Sequence, residues 1–285
     1  MALQTPFQTL STIWADRSGV LCYPDGDALK ASPYTEFILK KNVLFSIAAV
    51  VFLWVAWIIA YFIVQNDYLL PSFTETFSAM GHLLSDVVFW RAFGHTLIRT
   101  TLAFAVSLVL GVALALIANL RTWVRSFMSP IISALRTAPT MAIILVLLLW
   151  TTPRLAPAIV SLLVLLPAVY AATLTSLDEV TENYGALARA FRVSTRRKAF
   201  KMYLPLVAPS VLGQAGAIFS MGLKITISGE VLASTYPSLG HLMQESKMFV
   251  QMPELLALTI LSVAVGFLLE ALCLLAYKLI VRWRA

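Results

Sequence analysis

The chain contains few charged residues. Only 12% of its 285 residues are Asp, Glu, Lys or Arg, whereas 60% are hydrophobic. Soluble domains carry about 25% charged residues, so this composition excludes an ordinary soluble domain. Most of the charges also lie outside the long apolar runs, as the interior of a lipid bilayer requires. These runs predict membrane-spanning helices, and therefore an all-α integral membrane protein.

Residues that commonly carry chemistry are scarce as well. The two cysteines, Cys22 and Cys273, support neither a disulfide framework nor a metal site. The three histidines (His82, His95 and His241) are scattered and lack the HExxH spacing. The nucleotide-binding pattern GxxxxGK[ST] is also missing. We therefore expect no catalytic residue, no metal and no cofactor in this chain, and no nucleotide hydrolysis by the chain itself.

Acidic residues are outnumbered by basic ones, 14 to 21, which gives a net charge of +7. Such an excess can indicate a nucleic-acid partner. Here the cations do not cluster with exposed aromatic residues, as nucleic-acid binding would favour. They follow the positive-inside bias of membrane proteins, so we expect no nucleic-acid partner.

Six apolar runs are long enough to cross about 30 Å of hydrocarbon. The first begins only near residue 43, so we expect no cleavable signal peptide. Residues 1–41 are interpreted as a cytoplasmic tail, and residues 42–285 as one transmembrane domain. The six spans are predicted at residues 43–64, 95–120, 127–150, 155–177, 206–234 and 255–281.

The distribution of cations predicts the orientation. With both termini inside, fifteen of the 21 Lys and Arg residues fall in inner segments or at the inner end of the sixth span, and only three in outer segments. The positive-inside rule therefore favours cytoplasmic termini. In the outer segment 65–94, Phe73, Phe77, Met80 and neighbouring leucines recur at helical spacing. This pattern predicts a short amphipathic helix at the membrane interface.

Two predicted spans contain isolated arginines. Arg136 precedes Pro139 in the third span, where the missing proline N–H invites a bend. Arg136 could bind the freed carbonyl groups or anchor at the inner interface. Arg99, near the outer end of the second span, is expected to reach the interface or to pair with an acidic neighbour.

The fifth span carries polar residues that a lipid-facing helix would not need. Ser220, Lys224 and Ser228 recur every four residues, and Glu230 follows near the outer end. Intramembrane charges usually face a protein interior or an aqueous cavity. We interpret these four residues as the lining of a translocation path. Alternatively, Lys224 pairs with Glu230 or Glu270 or reaches the interface, and Glu230 is a hydrated rim residue.

The basic loop 178–205 is the most informative part of the sequence. Residues 186–205 read ALARAFRVSTRRKAFKMYLP and carry six of the 21 cations. The first residues are good helix formers, and Pro205 suits the start of the fifth span. One interpretation is a basic surface helix attracted to anionic lipid.

The same loop resembles the cytoplasmic coupling loop of ABC-importer permeases. That family's pattern is Glu-Ala-Ala, three residues, Gly, nine residues, Ile-x-Leu-Pro. When it is set on the terminal Leu-Pro, its Glu-Ala-Ala falls on residues 186–188 and its Gly on Arg192. By this resemblance the contact with an ATPase would come from Ala186, Leu187, Ala188, Phe191, Arg192, Phe200, Leu204 and Pro205.

The flanking sequence resembles one branch of the same family. The stretches LLPSFTETFSAMGHLL, ISALRTAPTMAIILVLLLW and GLKITISGEVLAS are similar to the nitrate, sulfonate and taurine permeases, and closest to members associated with thiamine precursors. The resemblance covers residues 43–285 and leaves residues 1–41 outside it.

The resemblance implies a type I ABC-importer permease fold with six transmembrane helices, in a bacterial inner membrane. The chain would be a transport subunit and not an enzyme. Its implied partners are a second permease copy, two ATP-binding subunits that hold ATP and Mg²⁺, membrane lipid, and a solute-binding protein docked near residues 65–94 and 236–253. The alternatives are an ion-coupled secondary transporter and a membrane scaffold that does not transport.

Overall fold

The computed structural model describes residues 48, 51–52, 54–64, 66 and 70–280. The chain divides into two units at Asn66. In the first unit, the described residues form one apolar helix, α1 (Trp54–Val64). The predicted tail 1–41 and the start of the predicted first span lie outside the described residues.

The described part of the second unit contains helices and no strand, as the apolar runs predict. A π-helix, Lys198–Tyr203, lies between α7 and α8. The α-helices are α2 (Phe73–Ser85), α3 (Val87–Leu120), α4 (Thr122–Thr137), α5 (Thr140–Trp150), α6 (Ala156–Ala190), α7 (Thr195–Arg197), α8 (Leu204–Ala233), α9 (Leu239–Met248) and α10 (Met252–Ile280).

Four helical segments among the described residues are long and apolar enough to cross a membrane. They are α3, α6, the continuous segment Lys198–Ala233, and α10. The pair α4 and α5 passes the same criterion when counted together, which raises the number to five. The second, fourth, fifth and sixth predicted spans are therefore helices. The total of six stays a prediction, because part of the first span lies outside the described residues and α1, the helix described there, is shorter than a membrane span.

The third predicted span is sharply bent, as the proline predicted. The axes of α4 and α5 differ by 96°. Ala138 has an extended backbone (φ −63°, ψ 132°), as expected for a residue that precedes proline. The predicted span 127–150 is therefore two short helices that meet at Pro139.

The predicted amphipathic helix is present as α2. A capping box defines its start: Glu75 N–H donates to Ser72 Oγ, and Ser72 N–H donates to the Glu75 carboxylate. Thr76 is buried, whereas Phe73 and Phe77 are largely exposed. The two phenylalanines therefore lie on the exposed side of α2, whereas Leu83 packs against a core cluster that includes Leu258 of α10.

Helix α6 lies between α3 and α8, and small residues allow the close approach. A Cβ atom at Gly111 in α3 would lie 2.8 Å from Val169 in α6. A Cβ atom at Gly222 in α8 would lie 2.8 Å from Leu165, which is also in α6. Because apolar side chains gain little by leaving lipid, close backbone packing of this kind stabilises membrane helices.

Candidate functional site

The helical body of the predicted coupling loop is the end of a longer helix. The predicted fourth span ends at residue 177, but α6 continues to Ala190. At 1.5 Å per residue, this extension projects about 20 Å beyond the predicted end of the span. The predicted coupling residues 186–188 therefore belong to α6. We call residues 186–205 the elbow, because they join the end of α6 to the start of α8.

The turn of the elbow depends on a left-handed residue. Arg192 has φ 47°, a conformation that favours glycine. The next residue, Val193, donates its N–H to the carbonyl of Ala188 at 3.1 Å. This bond spans five residues, as in the Schellman motif that ends many helices. Arg192 is also the residue on which the glycine of the permease pattern falls, so the backbone keeps the glycine conformation although the side chain differs.

The second arm of the elbow begins with a widened helix. Leu204 donates its N–H to the carbonyl of Ala199, five residues back, immediately before Pro205. In a regular α-helix, the proline ring would collide with the carbonyl of Lys201. The π-helix Lys198–Tyr203 gives that ring room, and α8 continues without a break.

The elbow exposes an apolar surface. Leu187 is 56% exposed, Phe191 74% and Phe200 63%. Ala188 and Tyr203 are buried and anchor the two arms on the rest of the chain. These large apolar side chains are therefore exposed where the elbow joins α6 to α8.

Lys224 lies on the exposed face of α8 between two cavities. A cavity of about 310 Å³ is formed with α5 and is lined by Pro139, Ile144 and Ser228 as well as Lys224. The second, of about 230 Å³, is formed with α9 and α10 and is lined by Lys224, Ser228 and Thr259 among others. Among the described residues, Lys224 has no carboxylate partner within ion-pair distance.

The other two residues predicted to line the path lie elsewhere. Ser220 is only 6% exposed, and its Oγ would lie 3.3 Å from a Cβ atom at Gly266 of α10. A spacing of four residues turns about 40° around a helix at each step, so the predicted stripe does not stay on one face. Lys224 and Ser228 share the open face, and Ser220 is turned into the contact with α10.

Glu230 is fully buried and does not share the face of Lys224. Its carboxylate accepts a hydrogen bond from Arg99 Nη1 at 2.8 Å and another from Thr96 Oγ1 at 2.8 Å. The pairing predicted for Arg99 with an acidic neighbour is therefore confirmed. A buried carboxylate needs such partners because an unpaired charge is costly in an apolar surrounding. The interpretations of Glu230 as a hydrated rim residue or as a partner of Lys224 are both wrong.

The same network fixes the segment that precedes α9. Leu239 donates its N–H to Thr96 Oγ1 at 3.0 Å, and Arg99 donates to the carbonyl of Pro237 at 3.2 Å. Gly240 packs directly on Glu230, with room for no side chain. Helices α3 and α8 and the segment before α9 are therefore joined through one carboxylate.

A further polar pair was not anticipated from the sequence. Arg125 in α4 donates to both carboxylate oxygens of Asp178 in α6, at 2.8 and 2.9 Å. The pair borders a cavity of about 300 Å³ that Arg136 also lines. Sequence alone gives no signal for this contact, since the partners lie 53 residues apart.

The comparisons with known proteins all find similarity to proteins of transport systems. Residues 107–284 match the family described as "Binding-protein-dependent transport system inner membrane component". A glycine betaine transport system permease protein of Bacillus subtilis (strain 168) is 24% identical over 166 residues, which are 58% of this chain and 58% of that protein. The chain thus spans less than two thirds of this relative's length.

Two further proteins are similar. A putative aliphatic sulfonates transport permease protein of the same organism is 24% identical over 200 residues, 67% of this chain and 71% of that protein. A solved structure described as an amino acid ABC transporter with histidines superposes with a TM-score of 0.56 at 16% identity, covering 68% of this chain and 93% of that chain. The last comparison shows the fold alone.

The family match spans most of the chain, from within α3 through α10, and the chain therefore belongs to the family of binding-protein-dependent transport system inner membrane components.

Proposed function

We propose that the chain is the permease subunit of an ATP-binding-cassette importer in a bacterial inner membrane. The observation that carries this proposal is the elbow. Its sequence position matches the coupling loop, Arg192 at the position of the pattern's glycine has a backbone conformation that favours glycine, and Leu187, Phe191 and Phe200 are exposed. A rigid arm with an apolar tip can transmit the movement of an ATPase to α6 and α8, because both helices continue directly from it.

The proposed assembly has a two-fold pathway. One chain of this kind provides half of such a pathway, so a second copy is expected. Two ATP-binding subunits would hold ATP and Mg²⁺ and receive the two elbows. A solute-binding protein would dock on the outer face, near residues 65–94 and 236–253. The fold is then a type I importer fold with six spans and cytoplasmic termini.

The proposed solute is small and organic or anionic. Lys224 and Ser228 line open cavities on α8, and the lysine has no carboxylate partner among the described residues. An ammonium group in a membrane domain requires water or an anion nearby. The nitrate, sulfonate, taurine and thiamine-precursor permeases that the sequence resembles would place the solute in this range.

Co-purification tests the proposal. The tagged chain, expressed in its own organism, should retain an ATP-binding subunit through purification in mild detergent. Leu187→Asp should abolish this retention, because a charge would enter the apolar contact, while membrane insertion stays intact. Phe249→Asp is the control, since Phe249 is also an exposed apolar residue but lies in the proposed docking region of the solute-binding protein, which an ATP-binding subunit does not contact.

Two outcomes would contradict the proposal. If no ATP-binding subunit is retained, the chain is better explained as an ion-coupled transporter or as a scaffold that does not transport. If Leu187→Asp retains the subunit as well as Phe249→Asp does, the elbow is not the contact surface.

A further inference from the structure

The cavity between α4 and α6 has the composition of an anion-binding site. Its volume is about 300 Å³, roughly the space of ten waters in the liquid. Most of the groups on its wall are donors. The polar side chains that line it include Arg125, Ser129, Ser133, Arg136, Thr175 and Asp178.

Arg125 is held in place with donors to spare. Its two terminal nitrogens donate to the two carboxylate oxygens of Asp178 at 2.8 and 2.9 Å. A guanidinium group has five N–H donors in a fixed fork, so three remain free. The bidentate contact also fixes the plane of the group. Asp178 therefore orients Arg125 and leaves three of its N–H donors free.

Arg136 supplies a second, unpaired charge. It has no carboxylate partner among the described residues. It is spaced three residues from Ser133 and seven from Ser129, so all three lie on one face of α4. Neither serine hydroxyl donates to another described residue. Two guanidinium groups against one carboxylate leave the wall with a net positive charge.

We propose that this cavity binds an oxyanion of the phosphate or sulfonate type. Such a group offers several acceptor oxygens and at least one negative charge, which match the free guanidinium and hydroxyl donors. Two sources provide the same chemistry: a solute on its way through the protein, or the phosphate of a lipid headgroup.

The position of the cavity is compatible with the first source. Arg136, at the end of α4, lines this cavity, and Pro139, at the bend that follows, lines the larger cavity beside Lys224. An anion that leaves the cavity beside Lys224 would find the next cation, Arg136, three residues before Pro139 and on the other side of the bend. This source rests on the proposed function, whereas the lipid source does not.

Calorimetry on the purified full-length chain in a maltoside detergent tests the site. Sodium ethanesulfonate and inorganic phosphate are titrated in turn against a chloride background. Arg136→Gln should weaken binding about tenfold or more, as expected when a charged hydrogen-bonding group is lost. Arg136→Lys should retain part of it. Arg121→Gln is the matched control, because Arg121 is an exposed cation just before α4 and does not line the cavity.

A second arm identifies a lipid source. The same preparations are exchanged into micelles that contain phosphatidylglycerol, and native mass spectrometry counts the retained lipid. Arg136-dependent binding of a free oxyanion supports the site with a solute source. Lipid retention that depends on Arg136, without free-anion binding, supports it with a headgroup source. The proposal is overturned if Arg136→Gln and Arg121→Gln behave alike in both arms, or if neither arm shows binding.

Neither arm measures transport or ATPase retention. Loss of the anion site therefore leaves the proposed permease function standing. Conversely, a failed co-purification does not affect Arg136-dependent binding of phosphatidylglycerol.

Discussion

The carboxylate of Glu230 in α8 and the guanidinium of Arg99 in α3 form an ion pair of 2.8 Å, and the Glu230 side chain is fully buried in it. Thr96 Oγ1 donates a second hydrogen bond to the carboxylate at 2.8 Å. Removing one partner from a buried pair leaves an uncompensated charge, which typically costs about 3–5 kcal/mol. This pair therefore contributes to the stability of the transmembrane bundle and not directly to a solute path.

The first prediction follows from that pair. Arg99→Met should lower the melting temperature of the purified chain in detergent substantially, because Glu230 then stays buried without its cation. The double variant Arg99→Met/Glu230→Met should recover part of the loss, since no unpaired charge remains. Ser228→Ala, an exposed polar substitution on the same helix, is the control. Equal melting temperatures for Arg99→Met and Ser228→Ala would contradict the stabilising role.

A second prediction concerns the glycine that packs on the pair. A Cβ atom at Gly240 would overlap the side chain of Glu230 and lie 2.6 Å from the backbone nitrogen of Val231. Gly240→Ala should therefore displace the start of α9 and lower the melting temperature. Gly81→Ala is the matched substitution, because a Cβ atom there meets nothing within 4 Å. In a helix interior it should stabilise by about 0.5–1 kcal/mol, and a lower melting temperature for Gly81→Ala would contradict the packing argument.

The third prediction concerns the elbow. Arg192 occupies the left-handed region, which costs a non-glycine residue about 1–2 kcal/mol. Arg192→Gly should relieve this cost and slow hydrogen exchange at the Val193 amide, which bonds to Ala188. Arg192→Val should have the opposite effect, because a β-branched side chain tolerates this conformation poorly. Faster exchange in the glycine variant would show that the turn does not depend on this backbone conformation.

The sequence predicted most of the helices because long apolar runs in a membrane chain have few alternatives. The family pattern assigns a glycine to position 192 and the backbone there is left-handed, but the arginine in this sequence gives no signal for that turn. The sequence could not predict that Glu230 pairs with Arg99. The two residues are 131 positions apart, and their contact depends on how α3 packs on α8.

The polar stripe shows a different limit of sequence reasoning. A repeat of four residues indicates neighbours on a helix, but it drifts around the helix by about 40° per step. Over two steps this drift separates buried Ser220 from exposed Ser228. The position of α10 decides whether Ser220 or Ser228 lines a cavity, and no local pattern encodes that position.

The fourth prediction concerns orientation. The excess of cations in alternate segments predicts that both termini are cytoplasmic. Reporter fusions after the last residue and near Gln244, in α9, should therefore report opposite sides of the membrane. Signals from the same side would contradict this topology, and they would also place the elbow outside the reach of a cytosolic ATPase.

The last prediction concerns Lys224 as part of the solute path. A cysteine at position 224 should react with a small water-soluble thiol reagent in membranes, because the side chain borders two open cavities. The background should lack Cys22 and Cys273. Ser228→Cys should react as well, whereas Ser220→Cys should not, since Ser220 is buried against α10.

Uptake measurements on variants at position 224 complete that test. If the solute is anionic, Lys224→Met should reduce uptake strongly while assembly and basal ATP hydrolysis persist, because only the cation in the path is lost. Lys224→Arg keeps the charge and should do less harm. Position 224 would not belong to the path if its cysteine remained unlabelled in every nucleotide state. Equal uptake by the methionine and arginine variants would show instead that the charge is not what the solute requires.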